Sequence, residues 1–227
     1  MNKINYQKEL EKVIDGCTRS GSVPSLFLHS CCAPCSSYTL EYLSGYFKIT
    51  VFYYNPNIYP ETEYYKRVEE QKRFIAALPV KYPVDFVEGN YDTERFYAMA
   101  RGLEHVPEGG ERCFKCYELR LREAACRAAE GGFDYFATTL TISPLKNAQK
   151  LNEIGQQLEK EYGVKHLPSD FKKKNGYKRS IELSAQYGLY RQDYCGCVYS
   201  MRERQAAANT ACLAEPNDCE AGMRLHG

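Results

Sequence analysis

Short apolar segments alternate with longer amphipathic segments along most of this chain, and this alternation limits the possible folds more than any other feature. The helical segments have apolar residues at helical spacing and end at glycine or proline. Strands are predicted at residues 25–29, 48–54, 84–88 and 133–140, with a short fifth strand near residues 164–168. A long helix is predicted between the last two, over residues 144–162. Strands separated by helices form a parallel sheet covered on both faces, and ligands bind beyond the carboxyl ends of its strands. The sequence therefore predicts an α/β fold with a site at that edge.

The chain length predicts one α/β domain with short additions at both ends. Its 227 residues are 44% hydrophobic and 26% charged, which is typical of folded globular proteins. We expect an N-terminal helix within residues 1–23 and a single catalytic domain over residues 24–209 that ends in a helical region. Residues 210–227 are small and polar and are expected to form a loose tail.

Eleven cysteines give the most direct indication of chemistry. The polar N-terminus lacks the apolar core of a signal peptide, and no segment approaches 18 uninterrupted apolar residues. We therefore expect a cytoplasmic protein without membrane contact, in which thiols are kept reduced and clustered cysteines indicate metal ligands or catalysts. Seven cysteines fall in three groups: Cys31, Cys32 and Cys35; Cys113 and Cys116; Cys195 and Cys197.

The first two groups predict a site with four cysteine ligands. Cys113 and Cys116 at a helix start can face one metal, and Cys31 and Cys32 on the turn after the first strand supply two more thiolates. Adjacent cysteines diverge along an extended chain, which favours an iron–sulfur cluster over one small ion unless the chain turns tightly. A zinc site on the same thiolates and buried cysteines without metal are the alternatives. Cys35 is a weaker candidate ligand or a packing residue.

The third group predicts redox chemistry. Cys195 and Cys197 are separated by one residue, so a disulfide between them would close a small, strained ring that is easily reduced. Gly196 gives the backbone the freedom that such a ring needs. We interpret the pair as a two-electron redox couple beside the metal centre. Additional metal ligands, or reduced and inert thiols, remain the alternatives.

One basic segment is a candidate RNA contact. The net charge is only +1, so contact with nucleic acid must come from a local patch. The basic side chains of the densest run are Lys172, Lys173, Lys174, Lys178 and Arg179. They could neutralise RNA phosphates, or form an ordinary solvated loop.

Seven segments carry a resemblance to a known family. The cysteine-bearing segments are HSCCAPCSS (29–37), ERCFKCYELRL (111–121) and LYRQDYCGC (189–197). The others are YYNPNIYP (53–60), EGNYD (88–92), TTLTISP (138–144) and DFKKKNGYKRS (170–180). Together they resemble the QueH family of epoxyqueuosine reductases over about residues 24–205, with no departure at the motif positions.

The resemblance implies an activity, a cofactor and a fold. The activity is removal of the epoxide oxygen of epoxyqueuosine at the tRNA wobble position to give queuosine, so tRNA and an unidentified electron donor are the implied partners. The fold is a Rossmann-like sheet similar to that of PP-loop (adenine nucleotide alpha hydrolase-like) enzymes, with cysteines in place of the phosphate loop, so ATP use is not implied. The implied site residues are Cys31, Cys32, Cys113 and Cys116 as ligands of a [4Fe-4S] cluster and Cys195 with Cys197 as a redox-active disulfide.

The chemistry of that reaction is compatible with the cysteine pattern. Converting an epoxide to an alkene consumes two electrons and two protons, which a one-electron cluster beside a dithiol can support. A cluster edge or an additional mononuclear metal could polarise the epoxide oxygen while an acid protonates it. Asp92 and Asp193 are candidate acids by position, with surface or capping roles as the alternatives.

Two other functions are compatible with parts of the sequence. The first is a zinc-binding module that docks RNA through the basic segment without catalysis. It differs from the reductase in colour, since zinc does not absorb visible light. The second is a PP-loop-like sulfur or nucleotidyl transferase. That enzyme needs a glycine-rich phosphate loop, and residues 29–37 do not provide one.

Overall fold

A five-stranded parallel sheet forms the centre of the protein. The computed structural model describes residues 4–214, with side chains to residue 210. The strands are β1 (Ser25–His29), β2 (Lys48–Tyr53), β3 (Val84–Glu88), β4 (Tyr135–Thr138) and β5 (Lys165–His166). Their order across the sheet is β3-β2-β1-β4-β5, and all neighbouring pairs are parallel. The predicted α/β class and parallel sheet are confirmed.

Helices cover both faces of this sheet. They are α1 (Tyr6–Ser20), α2 (Ala33–Leu43), α3 (Glu61–Ala77), α4 (Thr93–Ala100), α5 (Glu111–Glu130), α6 (Ala148–Tyr162), α7 (Gly176–Gln186) and α8 (Val198–Ala214). Successive residues of β1 point to opposite faces. Leu26 and Leu28 pack in the same buried cluster as Leu10 of α1, whereas Phe27 packs with Leu121 of α5 on the other face. Burial on both faces explains why β1 is apolar at consecutive positions.

The carboxyl edge of the sheet carries the first cysteine group. β1 ends at His29, and Cys32 is the N-cap of α2 two residues after Ser30. The loop after β2 is tied to this turn because Asn55 Nδ2 donates to the carbonyl of Ser30 at 2.8 Å. Between the parallel strands β1 and β4 the order of successive strands across the sheet changes direction, and open α/β sheets bind ligands at such a point.

Single hydrogen bonds shift two of the predicted element bounds. The strand predicted over residues 133–140 ends at Thr138, whose hydroxyl accepts the N–H of Leu140 and starts a 3-10 turn at Thr139–Ile142. The helix predicted to begin at residue 144 begins at Ala148, because the Asn147 side chain caps it by accepting the N–H of Lys150 at 3.0 Å.

The two ends of the chain are only partly described. α1 lies within the predicted N-terminal segment, residues 1–23. Of the tail predicted over residues 210–227, the part from residue 215 onward lies outside the described residues, and α8 extends to Ala214. None of the helices within residues 4–214 is long and apolar enough to cross a membrane.

A close helix–sheet contact gives a stability prediction. A Cβ added at Gly155 of α6 would lie 2.3 Å from the imidazole of His166. Gly155→Ala should therefore lower the free energy of unfolding by about 1–3 kcal/mol, measured by urea denaturation, because the methyl group overpacks the contact. Gly16→Ala on α1 is the matched control: its Cβ would meet nothing within 4 Å, and it should raise stability by about 0.5–1 kcal/mol. Equal stability of Gly155→Ala and the unmodified protein would mean that the imidazole moves aside freely.

Candidate thiol and metal centre

Three cysteines at the start of α2 form a compact group of sulfur atoms. The Sγ atoms of Cys31 and Cys32 lie 3.8 Å apart, and the Sγ of Cys35 lies within 4.8 Å of both. The chain leaves β1 and enters α2 at Cys32, so the first helical turn brings Cys35 beside the other two. Bonds of about 2.3 Å from a tetrahedral zinc ion place two thiolates about 3.8 Å apart. The group therefore has the spacing of ligands to a single ion.

This geometry changes one argument made from the sequence. From the sequence, an iron–sulfur cluster is favoured over a single ion because the side chains of adjacent cysteines diverge. That argument is wrong here, because the turn between β1 and α2 is tight enough to bring Cys31 and Cys32 together. Cys35, the weaker candidate by sequence, is part of the group. Cys35 follows Cys31 by four residues, and a helix begins between the two cysteines. This spacing is the sequence signal that could have identified Cys35 as a member of the group.

Hydrogen bonds within the group favour the thiolate form of its middle member. Hydrogen bonds from the thiols of Cys31 and Cys35 hold the pKa of Cys32 well below its usual range, against the effect of burial. The bond that Cys31 donates raises the pKa of Cys31 to about 11. The positive charge of Arg67 also favours the Cys32 thiolate. A thiolate is the form of cysteine that binds metals.

The other four clustered cysteines surround one small cavity: Cys113, Cys116, Cys195 and Cys197. Cys113 and Cys116 lie in the first two turns of α5, and Cys197 directly precedes α8. Burial raises the pKa of Cys116 to about 12, and it also raises the pKa values of Cys113 and Cys197. The second and third sequence groups are thus brought together.

Gly196 allows the third group to turn into this cavity. Its φ is +124°, a conformation that residues with a side chain rarely adopt. A Cβ at this position would also lie 3.0 Å from Nη1 of Arg67. Two hydrogen bonds fix the turn, because the carbonyl of Gly196 accepts the N–H of Tyr59 at 2.8 Å and the Tyr194 hydroxyl donates to the carbonyl of Tyr59.

Cys195 also faces a second, larger cavity of about 310 Å³, within the usual size range of small-molecule sites. Cys31 and Cys35 line the same cavity, together with Leu140 and Ile142 from the turn after β4. The cavity therefore lies between the ends of β1 and β4, where the strand order changes direction. All three cysteine groups meet at this edge of the sheet.

A buried lysine contacts Cys195. Lys146 donates to Cys195 Sγ at 3.0 Å and to Glu108 Oε1 at 2.9 Å, and its side chain is 7% exposed. Burial by itself would lower the pKa of Lys146, but its contacts with Cys195 and with the carboxylate of Glu108 outweigh burial and raise the pKa. The ammonium group thus stays charged. No sequence pattern singles out Lys146, although its position after the 3-10 turn that follows β4 is a weak signal.

Two buried arginines complete the electrostatics. Arg67 donates to Glu63 at 2.7 Å and to the carbonyl of Cys195 at 3.4 Å. Arg120 donates to the carbonyl of Cys116 at 3.2 Å and to Asn55 Oδ1 at 3.4 Å. The Nη2 atom of each arginine is buried without a hydrogen-bond partner in the described part of the chain. Arg120 follows Cys116 by four residues on α5, and residues at this spacing lie on the same face of a helix. This spacing is the sequence signal that could have identified Arg120.

The two predicted acids have different surroundings. Asp92 is the N-cap of α4 and accepts the N–H of Arg95 at 3.3 Å, which is the capping role considered as its alternative. Asp193 lines the larger cavity, but its side chain is 67% exposed and pairs with Arg204 at 3.2 Å. Of the two, the structure brings Asp193 close to the cysteines.

The predicted RNA-contact residues are partly neutralised by acidic neighbours. Lys172 pairs with Asp170 at 2.5 Å, Lys174 pairs with Glu11, and Arg179 pairs with Glu41 and Glu182. Within residues 4–210, Lys173 and Lys178 have no carboxylate oxygen within 4.0 Å. Tyr177 of the same segment lines the larger cavity.

The chain is similar to known proteins over most of its length. A model of the family described as Epoxyqueuosine reductase QueH matches residues 26–203. The epoxyqueuosine reductase QueH of Staphylococcus epidermidis is 48% identical over 202 residues, covering 87% of this chain and 85% of that protein. The corresponding protein of Streptococcus pyogenes is 46% identical over 88% of this chain and 79% of its own length. That of Thermotoga maritima is 36% identical over 80% of this chain and 92% of its own length. The chain therefore belongs to the QueH family of epoxyqueuosine reductases.

Proposed function

We propose that this protein reduces epoxyqueuosine at the tRNA wobble position to queuosine. Family membership supports the reaction. The observation that carries the proposal is that Cys195 lines both the larger cavity, with Cys31 and Cys35, and the small cavity that holds Cys197. A nucleoside in the larger cavity would therefore lie beside both the proposed redox pair and the metal-binding thiols.

The redox pair provides a balanced reaction. Both carbon–oxygen bonds of the epoxide break, a carbon–carbon double bond forms, and the oxygen leaves as water with two protons. The thiols of Cys195 and Cys197 supply two electrons and two protons as they form a disulfide, which an external electron donor of unidentified nature reduces again. Such a dithiol needs a reducing compartment, so the cytoplasmic location predicted from the sequence belongs to this proposal.

We propose Cys31, Cys32, Cys113 and Cys116 as ligands of a [4Fe-4S] cluster. Thiolates are the usual ligands of such clusters, and three of these cysteines belong to one buried cluster of contacting side chains. When bound, a [4Fe-4S] cluster supplies one-electron transfer. The Nη2 atoms of Arg67 and Arg120, which have no partner among the described residues, suit an anionic group at this place. The spacing of Cys31, Cys32 and Cys35 supports a second arrangement, in which Cys35 is a ligand or the trio holds an additional mononuclear metal.

The charged groups of the larger cavity can hold a proton near the departing oxygen. Asp193 is the better placed of the two candidate acids because it lines this cavity, whereas Asp92 caps α4. Lys146 holds its proton between Cys195 and Glu108, with little access to solvent. General acids need to be within hydrogen-bond reach of the atom that they protonate, and Lys146 and Asp193 both line the larger cavity.

A likeness to PP-loop enzymes remains part of the proposal. The strand order and the position of the larger cavity beyond β1 and β4 are typical of nucleotide-binding α/β sheets. The turn after β1 carries cysteines at the place where such enzymes carry a glycine-rich loop for phosphate. ATP is therefore not a proposed substrate.

Anaerobic purification followed by a single-substrate assay tests the proposed function. The protein should contain about four irons per chain, with matching sulfide and a visible absorption band. Incubation with a chemical reductant and tRNA carrying epoxyqueuosine should yield queuosine, detected by mass spectrometry of the digested tRNA. A colourless protein with stoichiometric zinc and no product would instead support the zinc-binding module that docks RNA without catalysis.

The unpaired lysines give a prediction for tRNA binding. Lys173→Ala combined with Lys178→Ala should weaken tRNA affinity and lower the slope of log affinity against log salt by about 2, because two phosphate contacts are lost. Filter binding over a salt series measures both quantities. Lys48→Ala with Lys165→Ala is the matched control, since both residues begin strands at the opposite, amino edge of the sheet. Equal slopes for the two double variants would mean that tRNA binds elsewhere.

A further inference from the structure

The guanidinium of Arg120 is a buried positive charge without a carboxylate partner in the described part of the chain. The residue is 1% exposed, and among the described side chains and backbone it donates only to the carbonyl of Cys116 and to the side-chain oxygen of Asn55. Its Nη2 atom has no partner within residues 4–210. An isolated buried ion costs several kcal/mol unless opposite charge is close to it. A negative group must therefore compensate this charge in the working protein.

The other two fully buried arginines are compensated differently. Arg67 pairs with Glu63 at 2.7 Å. Arg112 pairs with Glu203 at 3.1 Å and also donates to three backbone carbonyls. Arg120 alone among these three has neither a carboxylate nor a full set of hydrogen bonds. Its charge is therefore available to groups on the cavity side.

The groups on that side are cysteines. Arg120 lines the larger cavity with Cys31 and Cys35, and it lines the small cavity with Cys113 and Cys116. Both proposed ligand sets consist of cysteine thiolates along these cavities. Either set would therefore bring negative charge close to the guanidinium.

We propose that Arg120 is the counter-cation of the metal–thiolate centre and raises the reduction potential of that centre. The inference rests on the proposed function, because it requires an iron–sulfur cluster on these cysteines. Each electron that enters a cluster makes it more negative, and a fixed positive charge at low dielectric stabilises the reduced form. Arg120 is therefore a positioning residue that acts through the cluster and not a group that touches the nucleoside.

Redox titration of anaerobically purified variants tests this proposal. Arg120→Gln removes the charge, and Arg120→Lys keeps it. Arg122→Gln is the matched control, because Arg122 lies on the same helix but is partly exposed and pairs with Glu118 and Glu161. Iron and sulfide content are measured for each protein. The visible and electron paramagnetic resonance spectra are then followed against applied potential.

We expect Arg120→Gln to have a lower midpoint potential. At the potential where half of the unmodified protein is reduced, the ratio of reduced to oxidised cluster should fall at least tenfold, which is about 59 mV for one electron. Arg120→Lys should stay close to the unmodified protein, and Arg122→Gln should be unchanged. Loss of iron in Arg120→Gln with retention in Arg120→Lys would also support the proposal, because charge alone separates the two variants.

A second variant serves if Arg120→Gln does not fold. Arg120→Met also removes the charge, and it fills the same buried space with an apolar side chain that needs no hydrogen-bond partner. This variant should also lower the midpoint potential. An unchanged midpoint in either variant with full iron content would overturn the proposal. Equal losses of iron in Arg120→Gln and Arg120→Lys would overturn it as well, since shape and not charge would then matter.

The unmodified protein separates this inference from the proposed function. If it contains zinc and no cluster, the proposed function fails and the inference fails with it. If it contains the cluster and forms queuosine but the Arg120 variants keep its midpoint potential, the inference alone fails.

Discussion

Cys195→Ser should abolish repeated turnover of epoxyqueuosine-tRNA while the protein keeps its full iron content. A serine cannot form a disulfide, so the pair loses its capacity to supply two electrons. The steady-state rate should fall at least about 100-fold, which corresponds to about 2.7 kcal/mol in the activation free energy. Cys197→Ser should behave in the same way because the two sulfur atoms act as one unit. Queuosine formation over several turnovers and iron per chain are the two measurements.

A matched cysteine variant controls for general effects of thiol removal. Cys126 lies on α5 like Cys113 and Cys116, but it is partly exposed, and its thiol donates to Glu130 Oε1 at 3.5 Å. Cys126→Ser should therefore keep both activity and iron. Undiminished turnover in Cys195→Ser would show that the pair is not the electron source. Loss of iron in the same variant would identify Cys195 as a metal ligand, which is the alternative that the sequence left open.

Cys113→Ala should lose most of its iron and all detectable activity. Under the proposed ligand set only three thiolates remain, and these hold a [4Fe-4S] cluster poorly. Iron should fall from about four to below about one per chain. The measurement is iron and sulfide analysis after anaerobic purification, together with the visible spectrum and the queuosine assay.

Cys35→Ala provides the comparison that separates the two ligand arrangements. If Cys31, Cys32, Cys113 and Cys116 are the ligands, Cys35→Ala keeps its iron. The reverse pattern, with iron lost from Cys35→Ala and kept in Cys113→Ala, would assign the metal to the compact trio at the start of α2. Both side chains are small, and alanine is well tolerated in helices, so folding should be preserved in each variant.

The fold class can be predicted from the sequence because its strongest signals are local. β1 is apolar at consecutive positions, which indicates a strand buried on both faces, and the helices between strands require parallel pairing. The ends of elements are less predictable. The 3-10 turn after β4 depends on one hydroxyl of Thr138, and α6 starts late because Asn147 caps it. A single hydrogen bond of this kind does not change the spacing of apolar residues, so the sequence pattern does not reveal it.

The cysteine groups are visible in the sequence, but their surroundings are not. The rule that ligands bind at the carboxyl ends of parallel strands is enough to point to Cys31 and Cys32. The charged residues around them come from distant parts of the chain: Arg67 from α3, Arg120 from α5 and Lys146 from the loop before α6. Their convergence depends on how three elements pack, and no spacing between neighbouring residues encodes it.

The position of Cys195 between the two cavities has a kinetic consequence for the proposed reaction. A nucleoside that fills the larger cavity covers the face of Cys195 that is open on that side, while the other face borders the buried cysteines. The external donor and the tRNA would then compete for access to the same sulfur atom. Their two half-reactions must alternate, which is a ping-pong order, and initial rates at varied donor and tRNA concentrations should give parallel lines in double-reciprocal plots.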